Sequence, residues 1–421
     1  MKRFHDDRDW FFEKRYGLFV HWGLYAVPGW HEQIQWRRDI PKAEYVKLMD
    51  RFNPVAYDPE AWLDLVQDAG MEYICFTTKH HDGFCMWDTA HTEYRITNTP
   101  YGKDVLAMLA EACHRRGIRL CLYYSCPDWH HPNSLNLGAS HQLDQPNPGD
   151  EPDLMKYVDY VERQIRELCT NYGQISSFFW DIPPGVNIPR LNALLRELQP
   201  GIMINDRGYG PGDYATPERR VPEGRCFTKP TEACQSVGHQ SWGYREDEDY
   251  YSDRLLMGSL DKILAMGGNY LLNVGPKPDG TIPEQSAAIL RRIGTWFARV
   301  KESFYDAEPA SHLTANKECL LTRKGNDVYV HFPDGVACTG VTLQPIAVAP
   351  HRATVLNTGA EIRAQVELVP SWFRAGSYLR LADLPANEMG AETLVLKLEF
   401  EDLDAALKAT APAPEAQEFL L

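Results

Sequence analysis

The chain has 421 residues, with 58 acidic and 43 basic side chains and a formal net charge of −15. Such a surface repels phosphate backbones and anionic bilayers, which excludes nucleic-acid and membrane-surface binding as first readings. The length exceeds one small domain and suits a large domain followed by a smaller one, and 21 Tyr with 11 Trp offer the flat, polar-edged faces that suit sugars.

The N-terminal MKRFHDDRDWFFEKRYG carries charges where a secretory signal needs an apolar run. Neither a leader nor a membrane span is expected, and a cytoplasmic protein is. Ten scattered cysteines, some inside apolar runs as at Cys75 and Cys121, read as buried free thiols in a reducing compartment. Zinc spacing is missing: Cys121 and Cys126 lack a second pair, and the doublets His80-His81 and His130-His131 should point neighbouring rings apart. No metal and no cofactor are expected.

Strand-like and helix-like runs then alternate through the first three-quarters of the chain, the pattern of a parallel β/α architecture. Leu18 to His21 is a first strand, ending HWG. After a polar loop, Asp58-Pro59 opens a helix that Gly70 closes. Tyr73 to Thr77 is a second strand running out into KHHDGF. A helix from Asp104 to Arg116, stopped by Gly117, leads to the strand Ile118 to Tyr124. The Pro-, Asn-, His- and Gly-rich stretch from Cys126 to Asp153 is a long loop of the kind that forms lids or rims. Then come a helix from Leu154 to Tyr172, a strand from Ile175 to Trp180, a helix from Pro189 to Leu198 and a strand from Ile202 to Asn205. A short sixth strand at Cys226 to Thr228, a helix from Ser252 to Met266, the strand Tyr270 to Val274 and a helix from Pro283 to Arg299 complete the series. Seven or eight strands predict a (β/α)8-like TIM barrel over residues 1–308.

From Ser311 the texture changes to short alternating runs: Val328 to Phe332, Thr354 to Leu356, Val366 to Val369, Tyr378 to Leu381 and Leu394 to Phe400. Their spacing predicts an antiparallel β-sandwich over 309–405. The Ala-, Pro- and Glu-rich end, 406–421, reads as a loose tail.

Polar groups gather just after the predicted strands: His21 and Trp22, then His80, His81 and Asp82, then Tyr124, Asp181, and Asp206 with Arg207. Barrel interiors prefer branched apolar side chains, so five polar strand ends point to a site. The run ISSFFWDIPPG, residues 175–185, ends its apolar part in Asp181, either an acid at the lip of a strand or an Asp that opens a turn. Two carboxylates and several neutral hydrogen-bonding rings fit glycoside hydrolysis, in which one carboxylate attacks and another protonates the leaving oxygen. GxSxG, GxGxxG and P-loop sequences are not found. The second acid has to come from another loop, with Glu218 in GDYATPE and Glu232 in KPTEACQS as candidates.

Eight segments in order resemble one family. YGLFVHWG, KHHDGFCMWDT, the YYS after the third strand, the WD ending the fourth, INDRGYG, TPE, SWGY and GGNYLLNVGPKPDGTIP are similar to glycoside hydrolase family 29, the retaining α-L-fucosidases. The resemblance implies that Asp181 is the nucleophile and that His21, His80, His81 and Arg207 hold the sugar hydroxyls or the nucleophile. It also implies that Tyr124 is the tyrosine beside the anomeric carbon. Glu218 matches the family's usual acid/base place, and Glu232 aligns with a Trp-Glu pair that some members carry. Trp22, Trp36, Phe179 and Trp242 are candidates for the apolar wall against the C6 methyl group. The implied partner is a fucosylated oligosaccharide or glycoconjugate. Linkage, aglycone and oligomeric state stay open, a homo-oligomer included. Three departures from the family lie near the site: Phe179 for the usual Trp, IPPG after Asp181, and Gln35-Trp36 where a Glu-Trp pair is common. They keep a glycosidase for another fucose-like sugar in play, and a carbohydrate-binding protein without catalysis is the reading from outside the enzymes.

Overall fold

Apolar runs bounded by turn residues become the strands of one curled parallel sheet. The computed structural model describes residues 2–219, 222–344, 346, 348–368 and 377–409. Its strands are β1 (Tyr16–Val20), β2 (Tyr73–Lys79), β3 (Arg119–Ser125), β4 (Ser177–Asp181), β5 (Met203–Ile204), β6 (Glu232–Ser236) and β7 (Asn269–Val274), in the spatial order β5-β4-β3-β2-β1-β7-β6. Almost every strand residue is buried because helices cover the outer face and side chains fill the inner one.

The covering helices are α1 (Pro59–Asp68), α2 (Val105–Arg116), α3 (Leu154–Thr170), α4 (Arg190–Leu198), α5 (Asp253–Ala265) and α6 (Glu284–Val300). Their starts follow from capping chemistry. Asp58 accepts from Glu60 N ahead of a Pro at the first position of α1, Asp104 accepts from Ala107 N, and Asp153 accepts from Met155 N and Lys156 N. Gly117 ends α2 in the left-handed conformation, φ 66°, as its sequence position predicts.

Seven regular strands form the sheet, and the seam between its edges is irregular. The predicted sixth strand at Cys226–Thr228 is a loop; β6 lies further on, at Glu232–Ser236. Between β5 and β6 the segment from Asp213 to Arg219 bridges the gap by isolated parallel pairs, Asn205 with Tyr214, Ala215 with Thr231 and Glu218 with Cys234. Asp206 N donates to Tyr214 O at 3.0 Å, Glu232 N to Ala215 O at 2.9 Å and Cys234 N to Pro217 O at 2.9 Å. Pro217 carries no N–H, so the pairing against β6 is interrupted there.

Beyond α6 the pairing turns antiparallel. The five strands β8 (Glu308–Pro309), β9 (Leu320–Lys324), β10 (Asp327–Phe332), β12 (Arg352–Val355) and β15 (Leu394–Glu399) stand in the order β12-β15-β10-β9-β8. A three-stranded sheet orders β11 (Gly340–Leu343), β14 (Ser377–Ala382) and β13 (Arg363–Leu368) as β11-β14-β13. Both sheets feed one apolar cluster, with Val328 and Leu396 from the first and Leu343 and Leu379 from the second. Val369, the end of one predicted strand, lies outside the described residues. A helix from Leu403 to Ala409 occupies the start of the predicted tail, whose residues 410–421 also lie outside them. A buried hydrogen bond joins the two regions: His331 Nδ1 on β10 lies 2.7 Å from Asp261 Oδ1 on α5.

Candidate active site

In a curled parallel sheet, side chains of alternate residues face the concave interior, and the strands' C-terminal ends meet at one mouth. Here Phe19, Tyr123, Phe179 and Cys234 face inward as one packed layer. Above that layer is a cavity of about 110 Å³, walled by His21, His80, His81, Asp181, Arg207 and Trp242 and reached by Glu218. The same alternation assigns the neighbours to the outer face. Trp22 packs against Phe52, Tyr57 and Trp62 under the helices, and Trp180 donates from Nε1 to Asn192 Oδ1 at 3.0 Å.

Asp181 is the centre of the cavity's polar network. Its Oδ2 accepts from Tyr123 OH at 2.7 Å and lies 3.8 Å from His81 Nε2, while Oδ1 accepts from Arg207 Nη1 at 3.1 Å. Burial alone would raise its pKa, but the His81 ring, Arg207 and the Tyr123 hydroxyl outweigh burial and hold the carboxyl below its ordinary range. The same Arg207 nitrogen donates to Glu218 Oε2 at 2.8 Å, and Arg207 Nη2 donates to Thr216 O at 2.5 Å. Sharing one nitrogen keeps the two carboxylate oxygens within roughly 6 Å of each other, close to the spacing of the acid pair in retaining glycosidases. Glu218 is 41% exposed at the side chain against 14% for Asp181, so one acid lies at the mouth and the other within the wall.

Of the four imidazoles that line the cavity, burial holds three as neutral rings. Burial pushes His21 down, His80 well down and His81 down to about 4, the last against the pull of Asp181. A neutral ring donates from one nitrogen and accepts at the other, which suits hydroxyl pairs. His21 Nδ1 lies 2.7 Å from Asn273 Oδ1 and His81 Nδ1 lies 2.7 Å from Ser125 Oγ. His80 Nδ1 is buried with no partner among the described residues. The expected divergence of His80 and His81 does not occur: their ring centroids are 4.1 Å apart, because a register irregularity at Thr77/Lys79 ends the alternation before them. His130 and His131 do diverge, onto Tyr94 and Tyr160.

Several expected residues lie elsewhere. Tyr124 points away from the cavity and donates to Gln164 Oε1 at 2.6 Å; the tyrosine on Asp181 is Tyr123, one residue earlier and therefore on the inner face. Glu232 opens β6 instead of ending it. It is buried at the opposite end of the sheet's concave face, where its Oε1 accepts from Tyr73 OH at 2.6 Å and burial pushes its pKa up to about 7. Trp36 sits outside the cavity wall, half-buried, and Trp22 takes no part in it. Asp82 is buried under Tyr45 OH, and Asp206 pairs with Lys229 at the surface.

Four wall residues were not anticipated. Glu32 comes from the polar loop after β1. Its Oε2 accepts from Ser241 Oγ at 2.7 Å, Trp242 N at 2.9 Å and Gly243 N at 3.3 Å. Burial alone would raise its pKa, but His31 and the Ser241 hydroxyl outweigh it and hold the carboxyl below its ordinary value. Gln33 follows it into the wall, and His141 arrives from the Cys126–Asp153 loop. Ile182, directly after Asp181, has φ 59°, a left-handed backbone that β-branched residues almost never adopt, so the first residue of the IPPG departure is strained and lines the cavity. Glu32 had a sequence signal, since it lies three residues before the Gln35-Trp36 pair where the family's glutamate was sought.

A parallel β/α sheet whose mouth holds a cavity with an acid pair bridged by one arginine and four imidazoles, three of them neutral, defines a sugar-processing protein of the glycoside-hydrolase type. The comparisons narrow this class. The family model described as alpha-L-fucosidase matches residues 2–302, and the chain belongs to that family, glycoside hydrolase family 29. Bovine tissue alpha-L-fucosidase is 28% identical over 393 residues, covering 84% of this chain and 81% of that protein. The human tissue enzyme is 27% identical over 418 residues, covering 91% and 87%. Alpha-L-fucosidase isoenzyme 1 from Paenibacillus thiaminolyticus superposes with a TM-score of 0.84 at 33% identity, covering 94% of this chain and 100% of that one. A family 29 enzyme from Bacteroides thetaiotaomicron, trapped as a covalent intermediate with 2-fluoro-fucosyl fluoride, superposes with a TM-score of 0.78 at 26% identity, covering 94% and 96%.

Proposed function

We propose that this protein hydrolyses terminal α-L-fucosides with retention of configuration, with Asp181 as nucleophile and Glu218 as acid and then base. The observation that carries the assignment is the shared Arg207 nitrogen, which bridges the two acids and keeps one oxygen of each below the separation of inverting pairs. In the first step Asp181 attacks the anomeric carbon while the departing glycosidic oxygen takes the proton of Glu218, leaving an ester on Asp181. In the second, Glu218 removes a proton from water, whose oxygen attacks the same carbon and releases Asp181 as carboxylate. The imidazoles of His21, His80 and His81 take sugar hydroxyls. The faces of Phe19, Phe179 and Trp242 supply the wall for the C6 methyl group in place of Trp22 and Trp36. A small dead-end cavity supports removal of one terminal residue from a fucosylated oligosaccharide or glycoconjugate. Ten free cysteines, eight of them buried, support a reducing compartment such as the cytoplasm.

The test uses aryl α-L-fucosides. Asp181→Ala should abolish turnover and recover a fucosyl azide product when azide is added, and an active alanine variant without azide sinks the assignment. Glu218→Ala should lose mainly substrates with poor leaving groups. Equal loss on good and poor leaving groups, or selective loss in Glu232→Ala, moves the acid elsewhere. Profiling against L-galactosides decides between fucose and a fucose-like sugar, a choice kept open by the strained Ile182 beside the nucleophile.

A further inference from the structure

The loop between β3 and α3 is built as a rigid wall of the cavity. Its Asp128 carboxylate is fully buried, pairs with Lys79 Nζ at 2.9 Å and accepts from His130 N and His131 N at 2.9 and 2.8 Å. Gly83 is a glycine because a Cβ there would stand 2.3 Å from Asp128 Oδ1. On this base, Trp129 ties two imidazoles to one another: its backbone N donates to His81 O at 2.7 Å and its indole Nε1 donates to His141 O at 2.8 Å.

His141 is thus held beside His81, with ring centroids 5.4 Å apart, in a left-handed backbone of φ 58°, a region that His tolerates better than most non-glycine residues. The other face of its ring is stacked on Trp36 at 5.5 Å and 30°. Ser140 Oγ lies 2.8 Å from Nδ1, which leaves Nε2 as the ring nitrogen free for a ligand. His81 flanks Asp181, and the nucleophile has to lie against the anomeric carbon. A polar group beside His81 but one ring further from Asp181 therefore faces the hydroxyl on the adjacent ring carbon, C2.

We propose that His141 is a further substrate-positioning residue, hydrogen-bonding the C2 hydroxyl of the sugar, and that Trp36 acts through it by holding its ring. This rests on the fucosidase reading and adds to it a contact from a loop that sequence patterning leaves unassigned. Bonds to the C2 hydroxyl strengthen as the oxocarbenium-like transition state forms, so the contact acts on kcat more than on KM.

The experiment is a cycle of enzyme and substrate changes using an aryl α-L-fucoside and its 2-deoxy counterpart. His141→Ala should lower kcat/KM on the fucoside at least tenfold, mostly through kcat, and stay within about twofold of wild type on the 2-deoxy substrate. His141→Gln, which keeps a donor and an acceptor, should regain most of the loss. His141→Asn tolerates the left-handed backbone but is too short to reach, so it should repeat the alanine result in a folded protein even where the alanine variant is unstable. Trp36→Leu should show a smaller loss of the same selectivity and add nothing to His141→Ala. Equal losses on both substrates, or no loss in the asparagine variant, overturn the proposal. A wild type that cleaves neither substrate overturns the fucosidase reading and this contact with it.

Discussion

Replacing Tyr123 by Phe tests whether the hydroxyl 2.7 Å from Asp181 Oδ2 sets the ionisation of the proposed nucleophile. The change removes one oxygen and leaves the ring stacked between His80 and Phe179. A hydrogen bond to an ionised acceptor contributes about 1.5–3 kcal/mol, equivalent to roughly one to two pH units in the acceptor's titration. Asp181 keeps Arg207 Nη1 at 3.1 Å, so the lower part of that range applies, about one unit. The hydroxyl favours the charged form, so its loss raises the pKa of Asp181. Because the ionised carboxylate is the attacking form, the acid limb of kcat/KM should move to higher pH by about one unit. The assay is kcat/KM on an aryl α-L-fucoside from about pH 3.5 to pH 8, with Tyr124→Phe as the control. Tyr124→Phe loses only a bond to Gln164 behind the sheet, so it should lower the melting temperature and leave the limb in place. An unmoved limb in Tyr123→Phe, or a moved one in Tyr124→Phe, refutes the reasoning.

Glu232→Gln should flatten the pH dependence of stability. The folded pKa of about 7 lies above the ordinary 4.5, so the stability this carboxyl contributes is present at low pH and lost as pH rises through 7, by about 3 kcal/mol in full. Wild type should therefore lose more melting temperature than Glu232→Gln between about pH 4 and pH 7.5, and parallel curves reject that environment for Glu232. Lys79→Met leaves Asp128, held at about 2 in the intact pair, buried without its counter-charge. The denaturant midpoint should fall by the equivalent of about 3–5 kcal/mol, and a loss under about 1 kcal/mol contradicts the pairing. In native protein a disulfide reagent should modify Cys226 and Cys338 quickly and the other eight thiols only on unfolding; a third fast thiol contradicts the burial of that set.

Strand existence was legible because each apolar run ends at a turn signal, and the site was legible because polar groups follow those ends. Facing was harder to read. Tyr124 looked like the strand-end residue, yet β3 continues to Ser125, which pairs in register with Asp181, and Tyr123 pairs with Phe179. Parity with Asp181 therefore selects Tyr123 for the inner face, and parity cannot be counted until the register between two strands is known. The same limit removed Trp22, which is adjacent to the inward His21 and so faces outward. Glu32 and His141 enter from irregular loops, where no period exists to count and only the folded chain brings them to the wall.

The two glutamates show why position has to be settled before titration. Glu232 has the raised pKa that a general acid needs, and by that criterion alone it would be the better candidate. It opens β6 where an acid for this cavity has to follow a strand, so its carboxyl is buried against Tyr73 with no access to the mouth. Glu218 rides on the segment across the seam, where Cys234 N donates to Pro217 O and Arg219 N donates to Cys234 O, so position 218 pairs with Cys234 and its side chain reaches Arg207. Pairing across the seam thus delivers the second acid beside the first. Strand alternation turns position 218 to the same side as Cys234, which also lines the cavity, so the pairing across the seam is itself a requirement of the two-carboxylate arrangement.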